Sequence, residues 1–307
     1  MSTEAVRGSG GGSGLAGTLF VVATPIGNLG DVTFRALEVL RAVPMVAAED
    51  TRITRRLFAR YEITTRLVVH HARNEGPSTA GLLAHLRGGA DLALVTDAGT
   101  PLVSDPGGRL VAAWAGEGGV VVPIPGASAV LAALVASGVA GARWSFEGFL
   151  PRTGRDRRER LARVAADERA SVLFEAPGRM GATLADLAAA CGGSRPAAVC
   201  RELTKLHEET LRGTLGSLAA AVSAGELMER GEFVIVVGER APGDAAAVSG
   251  DVVPGHLATD TEDPLVAARA RVEVLVSAGA SRSSAVRTVA AETGIGHRQL
   301  YIAGPNV

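Results

Sequence analysis

Cysteine is scarce in this chain of 307 residues, which contains only Cys191 and Cys200. Neither belongs to a paired cysteine motif, so we predict neither a disulfide framework nor a structural zinc site. Apolar runs are short as well, since none reaches the about 18 residues that a membrane-spanning helix needs. Residues 1–17 lack the basic start and apolar centre of a signal peptide. We therefore predict a cytoplasmic protein with no membrane segment.

The motifs of metal-dependent, covalent and nucleotide-binding enzymes are missing too. His70 and His71 are adjacent, His85 stands apart, and no metal-ligand spacing connects them. The chain has no G-x-S-x-G nucleophile elbow. A G-x-G-x-x-G match at residues 12–17 precedes the first strand instead of following it, so it does not indicate a dinucleotide site. We predict no metal and no covalent intermediate.

Lysine is nearly absent, because Lys205 is the single lysine among the 31 basic residues. Arginine has replaced lysine wherever positive charge alone is needed. Lys205 therefore either marks a position that requires a compact ammonium group or has survived by chance, and both interpretations stay open.

What the chain does contain is a long alternation of strand and helix patterns, with 47% hydrophobic residues and a net charge of −1. Apolar runs at LFVVA, MVAA, LALVT and VVVPI are each followed by a helical pattern, which predicts a mostly parallel sheet over residues 18–127. Strand patterns at SVLFEA, AAVCRE, EETLRGT and FVIVVGE then predict a second α/β lobe with a mixed sheet over residues 128–240.

The remaining segments differ from these lobes in composition. Residues 1–17 predict a disordered tail, and residues 241–263, with five acids and no Lys or Arg, predict an acidic linker. Residues 264–307 carry a net charge of +3 and two helical patterns. They predict a small helical C-terminal appendage, either an RNA-binding helix-turn-helix unit or a simple packing unit.

Four unusual loops follow the strands of the first lobe: TPIGNLGD at 24–31, AEDTR at 48–52, TDAGTPLVSDPG at 96–107 and PIPGAS at 123–128. In an open parallel sheet, ligands bind beyond the carboxyl ends of the strands. Glycine lets the backbone approach a ligand closely, and proline makes a loop rigid. These loops predict a site for a small, partly polar ligand held largely by main-chain groups.

Carboxylates are concentrated in the same loops. Asp31 and Asp105 are predicted helix N-caps, whereas Asp50 and Asp97 are predicted to have a chemical role. RELTK, at residues 201–205, brings further charges from the second lobe. A cleft lined by paired charges is the functional interpretation, and ordinary salt bridges are the alternative.

These loops resemble those of a known family. TPIGNLGDVTFRALEVL, AAEDTR, DAGTPLVSDPG, PIPGASA, FEGFLPR, EAPGRM and RELTKLHEE are similar to the successive motifs of the bacterial 16S ribosomal RNA cytidine 2′-O-methyltransferases. That family belongs to the tetrapyrrole methylase superfamily. The resemblance extends from about Thr18 to Glu239 and, more weakly, through the C-terminal helices.

The resemblance implies an α/β tetrapyrrole methylase fold of two lobes, a cytoplasmic homodimer, and S-adenosyl-L-methionine bound in the cleft between the lobes. Its implied substrate is a cytidine in the decoding region of 16S rRNA, within the small ribosomal subunit. The implied cofactor-binding residues are Pro25, Gly27, Asp97, Ala98, Gly99 and Ser128.

Departures from the family pattern include the stretch HHARNEG, with Arg73 before Asn74 and Glu75, and two single positions. Thr96 stands where the family usually has serine, which keeps a hydroxyl. Gly178 stands where the family generally has a histidine, in Glu175-Ala176-Pro177-Gly178-Arg179.

Transfer of a methyl group to a ribose hydroxyl needs positioning first and proton removal second. We predict Asp50 or Glu49 as the base, with Glu202 and Lys205 orienting the ribose. The stretch at residues 152–163 carries six arginines and two acids, which predicts an RNA-binding surface or, alternatively, an ordinary solvated helix face. The predicted RNA-binding residues are Arg52, Arg152, Arg155, Arg157, Arg158 and Arg179.

Two other functions stay open from the sequence. The chain could be a related methylase that acts on a corrin precursor or a protein side chain. It could also be a catalytically inactive ribosome-binding assembly factor, an interpretation that the missing histidine encourages.

Overall fold

The computed structural model describes residues 16–240, 264–277, 280–293 and 295–300. The predicted acidic linker and almost all of the predicted N-terminal tail lie outside these ranges. The chain divides into two compact units, one over residues 1–248 and the other over residues 249–307. No helix in the described ranges is both long and apolar enough to cross a membrane.

The first lobe is built on a parallel five-stranded sheet with the order β3-β2-β4-β1-β5. Its strands are β1 Thr18–Val22, β2 Met45–Ala48, β3 Arg66–Val69, β4 Leu92–Val95 and β5 Val120–Ile124. The connecting helices are α1 Phe34–Ala42, α2 Thr51–Arg60, α3 Glu75–Arg87 and α4 Gly108–Gly116. Because every strand is parallel, all the predicted ligand loops leave from one edge of the sheet.

The second lobe carries a mixed sheet with the order β6-β7-β10-β8-β9, in which only the β6–β7 pair is parallel. Its strands are β6 Trp144–Phe149, β7 Ala170–Glu175, β8 Pro196–Arg201, β9 Glu209–Thr214 and β10 Phe233–Val237. Its helices are α5 Ala129–Ser137, α6 Gly154–Ala166, α7 Met180–Cys191 and α8 Leu215–Ser223. The predicted fold class, a parallel lobe followed by a mixed lobe, is confirmed.

Helices cover both faces of each sheet. Leu40 and Phe58 belong to the cluster on one face of the first sheet, and Leu86 and Trp114 to the cluster on the other. In the second lobe, the cluster on the α5 side also contains Ile26, which belongs to the loop after β1. This shared apolar cluster joins the loops of the first lobe to the second sheet.

One strand–helix pair of the first lobe was not predicted from its sequence. β3 is a four-residue strand at the edge of the sheet, and it begins with an exposed arginine. The helix α3 contains two glycines and a proline, so its pattern resembles a loop. Leu82, Leu83 and Leu86 nevertheless pack against the sheet and stabilise this helix.

The C-terminal unit contains α9 Pro264–Ser277, α10 Arg282–Thr293 and α11 His297–Leu300. Val272, Val286 and Val289 are nearly inaccessible to solvent and form its small core. The two predicted helices correspond to α9 and α10, and α11 is an addition.

Candidate functional site

The loops after β1 and β4 are hydrogen-bonded to each other at the carboxyl edge of the first sheet. The backbone N–H of Thr24 donates to the carbonyl of Gly99 at 2.8 Å, and the N–H of Gly99 donates back at 3.0 Å. The Thr24 hydroxyl also donates to the carbonyl of Thr96 at 3.1 Å. The edge of the site is therefore held by backbone pairing before any ligand arrives.

The loop over residues 96–107 has an unusual backbone. Leu102 and Ser104 have positive φ angles of 77° and 70°, although neither is glycine. Gly107 has a φ of 113°, and a Cβ there would lie 2.6 Å from Cδ2 of Leu94. Such conformations are costly and are concentrated at functional sites.

Neither acid predicted to cap a helix does so. The side chain of Thr33, not Asp31, caps α1 by accepting from the N–H of Ala36 at 3.2 Å. Gly107 is the N-cap residue of α4, and the carboxylate of Glu75 accepts from the N–H of Gly107 at 3.0 Å. Capping of α4 from another helix leaves Asp105 available for a different role.

A cavity of about 410 Å³ lies where the loops of the first lobe meet the second sheet. This volume falls within the usual range for small-ligand sites. Its apolar walls include Ile26, Val130, Phe174 and Leu203. Its polar wall is the turn over residues 98–100, which offers backbone groups. Apolar walls beside a main-chain turn suit a small, partly polar ligand.

The predicted cofactor-binding residues divide into two groups. Ala98, Gly99 and Ser128 line the cavity, and the Ser128 hydroxyl also caps α5. The other three lie beside the cavity without lining it, namely Pro25, Gly27 and Asp97.

Acids gather at the ends of β2 and β4. Asp97 accepts a hydrogen bond from the backbone N–H of Asp50 at 2.9 Å, and Glu49 accepts one from the Thr96 hydroxyl at 2.8 Å. Burial raises the pKa of Asp97 above its ordinary value. Burial also raises the pKa of Asp105 to about 6, and the charges of Glu49 and Asp97 add to this effect.

Asp50 lies in a different environment from Asp105. It is the N-cap residue of α2, and it pairs with the guanidinium of Arg52, with 2.6 Å between Oδ2 and Nη2. Hydrogen bonds from Arg52 lower the pKa of Asp50 to about 2. A carboxylate stabilised in this way is a weak proton acceptor, which disfavours the predicted role of Asp50 as the base.

Lys205 reaches across from the second lobe. Its Nζ lies 2.9 Å from Oε1 of Glu202 and 3.0 Å from Oε2 of Glu232. Burial opposes its charge, but these hydrogen bonds outweigh burial and raise the pKa of Lys205. A Cβ on Gly27 would lie 2.4 Å from Cγ of Lys205. The absence of a side chain at Gly27 therefore leaves space for Lys205, the only lysine of the sequence. The ammonium group of Lys205 pairs with Glu232, which lines the cavity.

The structure separates the predicted RNA-binding arginines. Arg152, Arg155 and Arg158 are exposed on or beside α6, and the Arg52 side chain is 84% exposed. The prediction for Arg157 is wrong. Its guanidinium is buried and bonds the Asp186 carboxylate at 2.8 Å, the Thr183 hydroxyl at 3.0 Å and the Pro151 carbonyl at 2.9 Å. The hydrogen bonds of Arg157 are therefore made inside the second lobe and not to RNA phosphates.

A second hollow, of about 620 Å³, adjoins the cavity and shares Phe149 and Ala176 with it. Arg152, Gly178 and Arg179 line its other side. A Cβ on Gly178 would have no neighbour within 4 Å. The glycine thus opens the hollow at the position where the resembled family generally has histidine.

In the described ranges, no cluster of three or more His, Cys, Asp or Glu residues could hold a metal ion. Burial raises the pKa of both cysteine thiols, so neither is an activated nucleophile at neutral pH.

The two α/β lobes and the matching family model define the class of this protein, a methylase. The family described as Tetrapyrrole (Corrin/Porphyrin) Methylases matches residues 18–219, and the chain belongs to it. Within this class it groups with proteins named ribosomal RNA small subunit methyltransferase I, which confirms the resemblance found in the motifs.

One such relative, from Synechocystis sp., is 45% identical and covers 93% of this chain and 96% of its own length. Another, from Micromonospora olivasterospora, is 51% identical and covers 72% of this chain and 70% of its own length. The structure also resembles uroporphyrin-III C-methyltransferase of Thermus thermophilus in complex with S-adenosylhomocysteine, with a TM-score of 0.52 and 20% identity. That likeness covers 73% of this chain and 97% of the other, and it supports the fold alone.

Proposed function

We propose that this chain is an S-adenosylmethionine-dependent methyltransferase that modifies the 2′-hydroxyl of a cytidine in the decoding region of 16S rRNA. The names of its relatives support an rRNA substrate. The observation that carries the chemistry is the cavity between the lobes, which joins a main-chain turn to a carboxyl group.

The cofactor fits the residues present. Ala98, Gly99 and Ser128 line the cavity and would hold it, while Pro25, Gly27 and Asp97 would support these residues from beside it. When bound, S-adenosylmethionine supplies a methyl group on a positively charged sulfur. The carboxylates of this site favour that positive charge, and the apolar walls exclude water.

The ribose is positioned by the charged groups at the mouth of the cavity. Lys205, held between Glu202 and Glu232, is the proposed donor to the ribose, with Glu202 fixing its direction. Glu49 and Asp50 maintain the acidic end of the site. Alignment of the reacting atoms supplies most of the rate gain for a displacement of this kind.

RNA binding is proposed for the exposed side chains of Arg52, Arg152, Arg155 and Arg158 and for Arg179. Arg179 is half-buried and bonds Glu175, so its charge is partly compensated. Since these side chains would contact phosphates, the affinity for rRNA should fall steeply as salt rises. An affinity that does not respond to ionic strength would contradict this interface.

We also propose a homodimer in the cytoplasm, bound to the small ribosomal subunit. Apolar side chains exposed on α5 support self-association, with Val135 87% exposed and Leu131 54% exposed. The proposed division keeps lobes at residues 18–127 and 128–240 and an RNA-binding helical domain at residues 264–307.

The test is methyl transfer to purified small subunits and to free 16S rRNA, using S-adenosylmethionine with a labelled methyl group. Nuclease digestion and mass spectrometry should then detect 2′-O-methylcytidine at one position. Tight cofactor binding with label on a corrin precursor or a protein, and none on rRNA, would favour a different methylase. Binding to the subunit without any cofactor binding would indicate an assembly factor.

A further inference from the structure

No cation in the described ranges pairs with Asp105, although the Thr96 side chain hydrogen-bonds its carboxyl. Glu75 performs the capping of α4, accepting from the N–H groups of Gly107 at 3.0 Å and Arg109 at 3.2 Å. Within the described ranges Asp105 forms no salt bridge, and it lines the cavity between the lobes. A partly buried acid without a cationic partner does not stabilise the fold, so its presence at this position needs another explanation.

The groups around Asp105 are acidic or neutral. Glu49 and Asp97 face it from the ends of β2 and β4, and Thr96 interacts with it. The second lobe brings two further acids to the cavity wall, and each is already paired. Glu175 is bonded by Arg179, and Glu232 by Lys205. Asp105 is therefore the acid of this cavity that lacks a cationic partner in the described ranges, and burial and neighbouring charge raise its pKa to about 6.

Building on the function proposed above, we propose that Asp105 accepts the proton of the ribose 2′-hydroxyl during methyl transfer. The hydroxyl oxygen forms a bond to the methyl carbon while the bond from that carbon to sulfur breaks, and the electron pair of that bond stays on sulfur. The proton of the hydroxyl passes to a carboxylate oxygen of Asp105 and afterwards to water. At pH 7 this carboxyl is mostly ionised, yet it is a far stronger base than Asp50.

The experiment compares Asp105→Asn with the wild-type protein on small subunits between pH 5 and 9, with saturating substrates. For the wild type, kcat should rise with pH through about 6 and then level off. Asp105→Asn should lower kcat about a hundredfold or more and remove this inflection. Glu38→Gln, which changes an exposed acid on α1 in the same way, is the matched control and should match the wild type.

Two readouts do not depend on activity. Titration of the protein alone, followed by carbon-13 chemical shifts of aspartate carboxyls, should give one group near pH 6 that disappears in Asp105→Asn. Binding of S-adenosylhomocysteine should be unchanged in that variant, because the proposal assigns Asp105 to the proton and not to the cofactor.

Wild-type kcat and an unchanged pH profile in Asp105→Asn would overturn the proposal. So would loss of the inflection in Asp50→Asn but not in Asp105→Asn, because Asp50 would then be the base. These results differ from a failure of the proposed function, in which the wild-type protein itself transfers no methyl group to rRNA. In that case the group of pKa near 6 would still titrate, and Asp105 would serve another acceptor.

Discussion

The two lobes differ in whether their buried and half-buried charged groups have partners of opposite charge. In the second lobe, Glu175 is buried and all its bonds are made, because its oxygens accept from Arg179 Nε at 2.6 Å, Thr183 Oγ1 at 2.6 Å and the N–H of Ala176 at 2.7 Å. In the first lobe, Asp97 and Asp105 form no salt bridge in the described part of the chain. Compensated charge holds a fold together, whereas uncompensated charge beside a cavity marks chemistry.

The clearest case of compensated charge is Arg195, which is 1% exposed. Its guanidinium donates to the carbonyls of Gly238 at 3.0 Å, Asp167 at 3.0 Å and Arg169 at 3.2 Å. It thereby ties the end of the second sheet to the segment after α6. The comparison predicts that this cation acts on stability alone.

Arg195→Met should therefore have the largest effect on stability. It leaves several buried carbonyls without donors, and the free energy of unfolding should fall by about 3 kcal/mol or more in urea titration. Arg163→Met, at an exposed position of α6, is the control and should stay within about 0.5 kcal/mol of wild type. A loss below about 1 kcal/mol for Arg195→Met would show that water can hydrogen-bond these carbonyls in place of the guanidinium at little cost in free energy.

Asp105→Asn should change stability in the opposite direction, raising the free energy of unfolding at neutral pH. The folded-state pKa of about 6 lies above the ordinary 3.8, so the folded protein binds the proton more tightly than the unfolded chain does. This contribution is fully present below pH 4 and is lost as the pH rises through about 6. At pH 7 the variant should be more stable than wild type by up to about 3 kcal/mol.

The measurement is the free energy of unfolding of both proteins between pH 4 and 8. The difference between them should grow with pH up to about 6 and then stay constant. A difference independent of pH would mean that Asp105 titrates normally and that the first lobe, like the second, carries no uncompensated acid here.

Gly27→Ala tests the contact that joins the lobes at the site. The new Cβ would lie 2.4 Å from Cγ of Lys205, and the flexible lysine must move away from Glu202 and Glu232. We expect a stability loss of about 1 kcal/mol and a raised KM for rRNA. In a Lys205→Ala background the same change should cost nothing further. Equal losses in both backgrounds would mean that the glycine matters for another reason.

The sequence predicted the architecture well because strand–helix alternation is local information. Both lobes, the direction of the first sheet and the loops at its carboxyl edge follow from patterns within about 20 residues. Membership of the methylase family followed from the motifs in those loops. The third strand–helix pair was missed because α3 depends on packing, not on propensity.

The roles of individual charges could not be predicted in the same way. Asp105 was predicted to be a cap because it precedes a helix, but the actual cap, Glu75, is 32 residues away from Gly107. Arg157 has the sequence context of its exposed neighbours, yet it points inward to Asp186. Such choices depend on which tertiary partner lies closest, and a single sequence does not contain that distance.

Gly178→His should have the smallest effect on stability and a larger one on binding. The position is exposed and a Cβ there meets nothing within 4 Å, so the free energy of unfolding should change by no more than about 0.5 kcal/mol. The imidazole would enter the hollow beside Arg152 and Arg179, adding a donor and, at pH 6, positive charge.

Affinity for rRNA should rise severalfold at pH 6 and less at pH 8, without change in S-adenosylhomocysteine binding. Gly76→His, at an equally open position on α3, is the matched control. If both histidines have the same effect on affinity, the gain is general charge attraction; if only Gly178→His does, the hollow lies on the path of the RNA.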